Sequence, residues 1–239
     1  MQQSIKSESN ELADVSAVMV NFNAGELLVI CVKAALAQTR QVVVIDNAST
    51  DSSMELLESC CDGESRLKIV RNSKNRGFAA GCNIGMQHCS GHHILFLNPD
   101  CVLAPNTVRR MLQTFDAIPE TGMVGGLLLG PDGIEQGGGR RAVPTPWRSF
   151  VRAFGLTRLS TRWPRLFSDF HLHAQPLPEI PISVEAISGA LMLVRKEAMD
   201  EIGLWDEGYF LHCEDLDLCM RFRQKGRGSR VPGAGYYPN

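Results

Sequence analysis

Membrane-spanning and secretory signals are missing from this 239-residue sequence. No segment approaches the roughly 18 consecutive apolar residues that a transmembrane helix needs, and the first thirteen residues are polar, without the apolar core of a signal peptide. The eight cysteines form neither a CxxC pair nor a zinc spacing with histidine, so we interpret them as reduced thiols. These absences predict a cytoplasmic protein in which any membrane contact is peripheral.

Common signals for binding nucleic acids and nucleotides are absent as well. The net charge of −2 provides no general attraction for a polyanion, so we predict no nucleic-acid partner. No GxxxxGK[ST] run occurs, which excludes a Walker-type phosphate loop, and the dinucleotide fingerprint GxGxxG is missing. A Rossmann dehydrogenase is therefore disfavoured.

Strand and helix signals alternate through the first half of the chain. We predict strands at 15–20, 41–45, 67–70 and 93–97, and helices at 25–38, 51–60, 78–89 and 106–118. This alternation predicts an α/β fold with a parallel sheet and right-handed crossovers. Further along, residues 127–136 indicate a hairpin around Asp132-Gly133, and residues 214–225 indicate a helix closed by Gly226.

Polar residues follow the fourth predicted strand directly. The unbroken apolar run 94–97 is typical of a strand buried on both faces, and Pro99 ends it because proline cannot donate to the sheet ladder. Asp100 is then delivered to the carboxyl edge of the sheet, where open α/β sheets bind ligands. Its carboxylate could hold a divalent cation or a sugar hydroxyl there, or it could simply cap the segment that follows.

The second predicted strand ends in the same way. Asp46 follows the apolar run 42–45 and can accept hydrogen bonds from a base or ribose lying across the strand tips. The start of the next helix offers backbone amides to anionic groups, although Ser49 and Asp51 could equally serve as helix caps. Because Asp100 repeats the pattern, we favour the ligand-binding interpretation of Asp46.

Glycines recur every fourth residue from the position just before the third predicted helix, at Gly77, Gly81 and Gly85. Glycine inside a helix costs roughly 1 kcal/mol relative to alanine. The repeat therefore indicates a close approach of the helix backbone to a neighbour, which could be the sheet or a ligand.

Acidic and aromatic residues crowd the segment 203–217. Trp205 and Tyr209 offer ring faces that suit the apolar faces of sugars, and Glu214 or Asp215 could take a hydroxyl proton as a general base. The structural alternative is that acids at the start of a helix only stabilise its macrodipole.

These stretches together resemble the inverting family-2 glycosyltransferases of the GT-A fold, especially their bacterial rhamnosyltransferase-like branch. Six stretches carry the resemblance, in the family's order: Val20-Asn21-Phe22-Asn23, Asp46-Asn47-Ala48-Ser49-Thr50-Asp51, Asn75-Arg76-Gly77-Phe78-Ala79-Ala80-Gly81-Cys82-Asn83, Leu97-Asn98-Pro99-Asp100, Ser188-Gly189-Ala190 and Glu214-Asp215-Leu216-Asp217-Leu218. The resemblance implies a mostly parallel, Rossmann-like sheet flanked by helices, with a smaller mixed sheet on the acceptor side.

The resemblance also implies a division of labour along one domain. Residues 1–13 would be a disordered lead, residues 14–120 the half that binds a nucleotide sugar, and residues 121–239 the acceptor-binding and catalytic half. Within the second half, residues 140–182 would form a flexible insertion rich in arginine and aromatic residues.

Donor and metal roles follow from the same resemblance. The implied donor-binding residues are Asn21, Asn23, Asp46, Asn47, Asn75, Gly77, Phe78, Asn83, Asn98, Ser188 and Gly189. Asn98-Pro99-Asp100 stands where the family has its DxD motif, so Asp100 would bind Mg²⁺ or Mn²⁺.

Catalytic and acceptor roles are implied for the second half. Asp215 would activate the acceptor hydroxyl, with Glu214 as the second choice of base, and Trp205 and Tyr209 would bind the acceptor. The reaction would be a direct displacement that inverts the anomeric carbon. The implied partners are a dTDP- or UDP-sugar donor, with rhamnose as the first candidate sugar, and a glycan or lipid-linked acceptor of polysaccharide or cell-envelope biosynthesis.

Several alternatives stay open. The basic, aromatic insertion could touch anionic lipid at the inner face of the plasma membrane, or it could close over the diphosphate. A nucleotidyltransferase shares this kind of sheet, but residues 21–26 after the first strand contain no basic residue. A non-catalytic nucleotide-sugar-binding protein is the third hypothesis, because relatives place a histidine after a segment like 230–234 and this sequence has none after His212.

Overall fold

The computed structural model describes residues 12–136, 139–141 and 180–231. Its strands are β1 (Ala13–Asn21), β2 (Thr39–Asp46), β3 (Leu67–Arg71), β4 (His93–Leu97), β5 (Met123–Gly125), β6 (Arg140–Arg141), β7 (Ile182–Val184), β8 (Ala186–Ile187), β9 (Leu191–Arg195) and β10 (Ser229–Val231). Its helices are α1 (Leu27–Leu36), α2 (Ser53–Cys60), α3 (Phe78–Met86), α4 (Thr107–Ala117), α5 (Lys196–Ile202) and α6 (Glu214–Gln224). The predicted lead before residue 12 and most of the predicted insertion lie outside the described residues.

Within the described residues, the main sheet has eight strands in the order β3-β2-β1-β4-β9-β5-β10-β7. The first four strands of the chain are mutually parallel, as the alternating pattern predicts. β9 then runs antiparallel between β4 and β5, and β10 is parallel to β5 and antiparallel to β7. The second half of the chain therefore extends the same sheet, while β6 and β8 form a separate antiparallel pair.

Both faces of this sheet are covered. Helices α1, α2 and α4 pack on one face, against residues such as Val42, Val44 and Leu95. Helices α3, α5 and α6 pack on the other, against the alternating residues Val43 and Phe96. Because successive side chains of a strand point to opposite faces, a strand covered on both sides must be apolar throughout.

The predicted hairpin and the end of the last helix are confirmed. Leu129 and Glu135 form an antiparallel bridge around Asp132-Gly133. After α6, Gly226 has a φ of 73°, and its N–H and that of Arg227 bond back to Arg223 and Phe222. This is the Schellman arrangement that glycine favours, because it has no Cβ to clash in the left-handed region.

Two of the regularly spaced glycines lie against the sheet. A Cβ on Gly81 would lie 2.7 Å from Cγ1 of Val20, and one on Gly85 would lie 2.4 Å from Cγ1 of Val18. Helix α3 therefore approaches β1 closely through these two residues. Of the two interpretations of the glycine repeat, contact with the sheet is the correct one for Gly81 and Gly85.

We expect Gly85→Ala to lower the free energy of unfolding by about 1–3 kcal/mol, because the added methyl would overlap Val18 and force α3 away from β1. Urea unfolding would measure the loss. Gly228→Ala is the control, since no atom lies within 4 Å of its Cβ position, and we expect it to stay within about 0.5 kcal/mol of the wild type. Equal stability of both variants would contradict the close packing of α3.

Candidate active site at the carboxyl edge of the sheet

Asp46 ends β2 and is held in place by Asn21 at the end of β1. The amide nitrogen of Asn21 lies 3.2 Å from Oδ1 of Asp46, 2.9 Å from Oγ of Ser49 and 3.0 Å from Oγ of Ser53. Asn21 is fully buried, and Asp46 is 4% exposed. Asn21 therefore orients Asp46 and the following turn from behind, while Asp46 stands closer to the surface, 3.8 Å from Nη1 of Arg71.

The loop after β1 and the loop after β2 are tied together by Asn23. Its side-chain oxygen accepts a hydrogen bond from the backbone N–H of Thr50 at 2.8 Å, and its own N–H donates to Oγ of Ser49 at 3.1 Å. Asp51 completes the link by accepting from the N–H of Gly25 at 2.9 Å. These bonds hold two predicted nucleoside-facing loops in one fixed arrangement.

Asn47 and Asn75 shape the turn that opens helix α3. The amide of Asn47 donates to the carbonyl of Gly77 at 3.0 Å, and the side-chain oxygen of Asn75 accepts from the N–H of Gly77 at 2.9 Å. Gly77 has a φ of 85°, and a Cβ there would lie 2.5 Å from the carbonyl oxygen of Phe210. Glycine is required at this position both for its backbone conformation and for the close approach of residue 210.

Asn98-Pro99-Asp100 lies beside Ser188-Gly189-Ala190 at the same edge. Leu97 pairs with Leu191, and the N–H of Asn98 donates to the carbonyl of Ala190 at 3.0 Å. A cavity of about 520 Å³ is lined by residues of both segments, including Asn98, Asp100 and Ala190. This volume is within the usual range for small-molecule sites.

The residues around Asp100 fit a cation that is shared with a ligand. Asp100 is exposed, and its carboxylate makes no hydrogen bond or ion pair within the described part of the chain. Across the described ranges, no group of three or more His, Cys, Asp or Glu side chains could enclose a metal. A Mg²⁺ or Mn²⁺ ion would therefore have Asp100, with the Asn98 amide nearby, as its protein ligand and would draw the remaining oxygens from a diphosphate and water.

Asp215 lies in the first turn of α6 and meets the Ser188-Gly189-Ala190 turn. The N–H of Gly189 donates to Oδ2 of Asp215 at 3.2 Å, and Nη2 of Arg141 makes an ion pair with the same oxygen. Asp215 is 9% exposed. The three-residue turn thus contacts the predicted metal-binding motif on one side and the predicted base on the other.

This arrangement agrees with a comparison of the whole sequence with known protein families. The sequence model of the family described as "Glycosyl transferase family 2" matches residues 16–203, which is more than half of the chain. The chain belongs to glycosyl transferase family 2.

Two curated proteins that are similar to this chain are named as sugar transferases. It is 24% identical over 225 residues to the low-salt glycan biosynthesis hexosyltransferase Agl10 of Haloferax volcanii, covering 92% of this chain and 65% of that protein. It is 27% identical over 205 residues to the N-acetylglucosaminyl-diphospho-decaprenol L-rhamnosyltransferase of Mycobacterium tuberculosis, covering 80% of this chain and 64% of that protein. The chain thus spans less than two thirds of either relative.

A solved structure gives the same picture of the fold. GalNAc-T7, solved with UDP, GalNAc and Mn²⁺, superposes with a TM-score of 0.67 at 19% identity, covering 94% of this chain and 43% of that one. The predicted GT-A fold is confirmed. Within the described residues of this family-2 chain, no helix is both long and apolar enough to cross a membrane.

Glu214, the second predicted base, lies next to Asp215 in the family-2 site but is sequestered. It is 7% exposed, and its Oε2 atom has no hydrogen-bond partner among the described residues. Burial raises the pKa of Glu214, and the adjacent Asp215 carboxylate adds to that rise. Burial therefore disfavours the charged form of the Glu214 carboxyl.

The two predicted acceptor-binding aromatics occupy different positions. Trp205 is 2% exposed and packs edge-to-face against Phe78 and Phe96, with ring centroids 5.5 and 5.0 Å away. It forms the wall behind Gly189, whose Cβ position lies 3.5 Å from the indole. Tyr209 is 38% exposed, so Tyr209 is the aromatic residue that has free surface to offer an acceptor.

Asn83 holds this wall in place. Its amide donates to the carbonyl of Trp205 at 2.9 Å and to Oε1 of Glu207 at 3.0 Å, and its side-chain oxygen accepts from the N–H of Trp205 at 3.0 Å. Asn83 is 4% exposed. Its side chain therefore supports the loop before α6, and its predicted contact with the nucleotide-sugar donor stays a prediction.

Arg141 is the site residue that sequence reasoning missed. It falls in the predicted basic insertion, for which contact with lipid or with a diphosphate is expected, and so does Arg140. In the structure Arg140 is buried in an ion pair with Glu135, and Arg141 meets Asp215. No spacing in the sequence links residues 141 and 215, so only the fold could reveal this pair.

We expect Glu214→Gln to raise the midpoint of thermal unfolding at neutral pH by about 2–4 °C, or about 1 kcal/mol. The raised pKa means that the folded state binds the Glu214 proton more tightly than the unfolded state. The contribution of Glu214 to the free energy of unfolding is therefore fully present below the ordinary glutamate pKa. It is lost as the pH rises through the raised pKa of the folded state. The gain should vanish at about pH 3, where the carboxyl is almost entirely neutral in both states.

Calorimetry across this pH range would measure the effect of Glu214→Gln. Glu120→Gln is the control, because the Glu120 side chain is 66% exposed, and it should show little difference at either pH. A wild type that is more stable than Glu214→Gln at neutral pH would contradict the burial argument.

Proposed function

We propose that this chain is a glycosyltransferase that moves a sugar from a nucleotide-diphosphate donor to a glycan or lipid-linked acceptor, with inversion at the anomeric carbon. One observation carries the proposal. The turn Ser188-Gly189-Ala190 accepts a hydrogen bond from Asn98, next to Asp100, and donates one to Asp215. A carboxylate suited to a cation and a carboxylate suited to a base therefore face one three-residue turn.

The donor would lie along the carboxyl edge of the first strands. Asp46 would accept hydrogen bonds from the base or ribose, and Asn21 would hold Asp46 in position. Asp100, with Asn98 nearby, would hold Mg²⁺ or Mn²⁺, which when bound neutralises the charge that develops on the leaving diphosphate. Ser188 and Gly189 would line the pocket of the donor sugar. The Mn²⁺ in the structure of GalNAc-T7 supports a divalent cation here.

Asp215 would carry out the proton transfer. Its carboxylate would take the proton of an acceptor hydroxyl as the hydroxyl oxygen forms a bond to the anomeric carbon. The bond from that carbon to the diphosphate oxygen breaks on the opposite side, and the diphosphate leaves with the electron pair. Attack from the face opposite the leaving group inverts the configuration of the sugar.

The substrate class is proposed from the relatives. The rhamnosyltransferase of Mycobacterium tuberculosis is named for an acceptor with a diphospho-decaprenol group, which supports rhamnose as the first candidate sugar and a lipid-linked acceptor. A dTDP- or UDP-sugar is the proposed donor. The protein would then work in the cytoplasm, at the inner face of the plasma membrane, in polysaccharide or cell-envelope biosynthesis.

We expect purified protein to release nucleoside diphosphate from one of the dTDP-, UDP- or GDP-sugars in a panel, and to be stabilised against heat by that nucleotide only when Mn²⁺ is present. Asp215→Asn should lose about 10²- to 10⁴-fold in turnover, the usual contribution of a general base, and should keep donor binding. Asp217→Asn is the control. Asp217 lies in the first turn of the same helix, but its Oδ2 atom accepts a hydrogen bond from Nε of Arg221 at 2.8 Å.

Other outcomes point to the other hypotheses. Nucleotide-dependent stabilisation without turnover in the wild type would favour a non-catalytic binding protein. Pyrophosphate release from a nucleoside triphosphate and a sugar phosphate would favour a nucleotidyltransferase. Full turnover in Asp215→Asn would remove Asp215 from the mechanism.

We expect Mn²⁺ alone to bind weakly, because Asp100 is the only charged ligand that we assign to it. Calorimetric titration of the apo protein should show little heat, whereas titration in the presence of UDP or dTDP should show clear binding. Asp100→Asn should abolish the nucleotide-dependent binding and leave the unfolding midpoint unchanged, since Asp100 is exposed and makes no internal ion pair within the described residues. Tight Mn²⁺ binding by the apo protein would contradict this site.

A peripheral membrane contact is proposed for the basic, aromatic insertion, on the sequence alone. Neutralising Arg148, Arg152 and Arg158 should weaken co-sedimentation with anionic vesicles by at least about tenfold, because each basic residue near an anionic surface contributes about 1 kcal/mol. A triple variant at the exposed residues Arg40, Arg223 and Lys225 is the control for charge loss. Unchanged co-sedimentation of the first variant would contradict the membrane contact.

A further inference from the structure

The geometry points to Arg141 as a positioning residue that fixes the catalytic carboxylate of Asp215 in one orientation. This inference rests on the proposed function, in which Asp215 is the base. It deepens that function by assigning the orientation of the base to a residue 74 positions away in the sequence.

Arg141 is itself anchored by its neighbours. Arg140 makes a two-pronged ion pair with Glu135, with Nε–Oε1 and Nη2–Oε2 distances of 2.7 and 2.6 Å. The side chains of this pair are 1% and 6% exposed. Strand β6 also pairs with β8, where Arg140 faces Ile187. A bidentate pair of this kind fixes geometry as well as charge, so the backbone at residue 141 starts from a defined place.

The guanidinium of Arg141 is then held by two partners. Its Nη2 atom donates to the carbonyl of Ile187 at 3.1 Å and makes the ion pair with Oδ2 of Asp215. The N–H of Gly189 donates to the same Oδ2 atom. Two donors on one oxygen fix the rotation of the carboxylate and leave Oδ1 as the oxygen that can receive a proton from an acceptor hydroxyl.

Unpaired polar atoms around Asp215 argue that this geometry serves chemistry more than stability. The Nε atom of Arg141 and the Oε2 atom of Glu214 are both buried without a hydrogen-bond partner among the described residues. Such atoms are rare in folded proteins and are often found where function constrains the side chains. If the ion pair of Arg141 and Asp215 served only stability, we would expect the polar atoms on either side of it to have hydrogen-bond partners.

The test compares Arg141→Ala, Arg141→Lys and Arg221→Ala in sugar transfer with Mn²⁺ and the donor found in the panel. We expect Arg141→Ala to lose about 100-fold in kcat, the size of loss that a misplacement of a catalytic group by about 1 Å can cause. The donor KM should change less than about threefold. Arg141→Lys should recover part of kcat. Millimolar guanidinium should restore turnover in Arg141→Ala, because the small cation can occupy the vacated position.

Arg221→Ala is the matched control. Arg221 pairs with Asp217 of the same helix through Nε at 2.8 Å, so its loss removes a comparable ion pair without touching Asp215. It should keep the wild-type kcat and should not respond to guanidinium. If Arg141→Ala keeps kcat within twofold, or if its lost kcat is not restored by guanidinium and falls together with the unfolding midpoint, the positioning role is overturned.

A second measurement separates this inference from the proposed function. Carbodiimide labelling of Asp215, followed by mass spectrometry, reports on the ion pair without any substrate. Faster labelling in Arg141→Ala than in the wild type supports the contact even if no donor in the panel is turned over, an outcome in which the proposed function alone fails. Equal labelling in both proteins overturns the inference whatever the activity of the wild type.

Discussion

The antiparallel pairing of β9 with β4 is the contact on which the rest of the site depends. It places Leu191 opposite Leu97, so that the turn before β9 lies beside the polar residues after β4. Without this pairing the two halves of the chain would present their carboxylates to different places. The apolar residues of β4 are buried on both faces of the sheet, and this burial stabilises the strand beside β9.

Several residues of the family motifs are buried and make hydrogen bonds to other protein groups. Asn21, Asn47 and Asn83 are almost completely buried. The side-chain amide of each donates hydrogen bonds to backbone or side-chain groups that shape a loop. Asn23 and Asp100 of the motifs are exposed, as is the nearby Tyr209. A buried amide with all its partners in place rigidifies the groups around it. The site is therefore a small set of exposed groups on a rigid polar framework.

Much of this could be predicted from the sequence. The strand and helix order of the first half follows from hydrophobic periodicity, and the strand-end positions of Asp46 and Asp100 follow from the residues that stop each strand. The spacing of Gly81 and Gly85 indicated that something approaches the helix backbone closely, but it did not say what. The space left by a missing side chain can be filled by a sheet or by a ligand. The burial of Trp205 could not be predicted either, since an aromatic residue beside acids suits a core as well as a pocket.

The sequence alone determined the α/β class, the family and the positions of the carboxylates along the chain, because these depend on local patterns. Only the tertiary structure decided which residues meet. It placed Arg141 on Asp215 and Arg140 on Glu135, although the local pattern indicates a basic surface insertion. The physical reason is that an ion pair depends on distance in space and on burial, and neither is encoded in the spacing of residues along the chain.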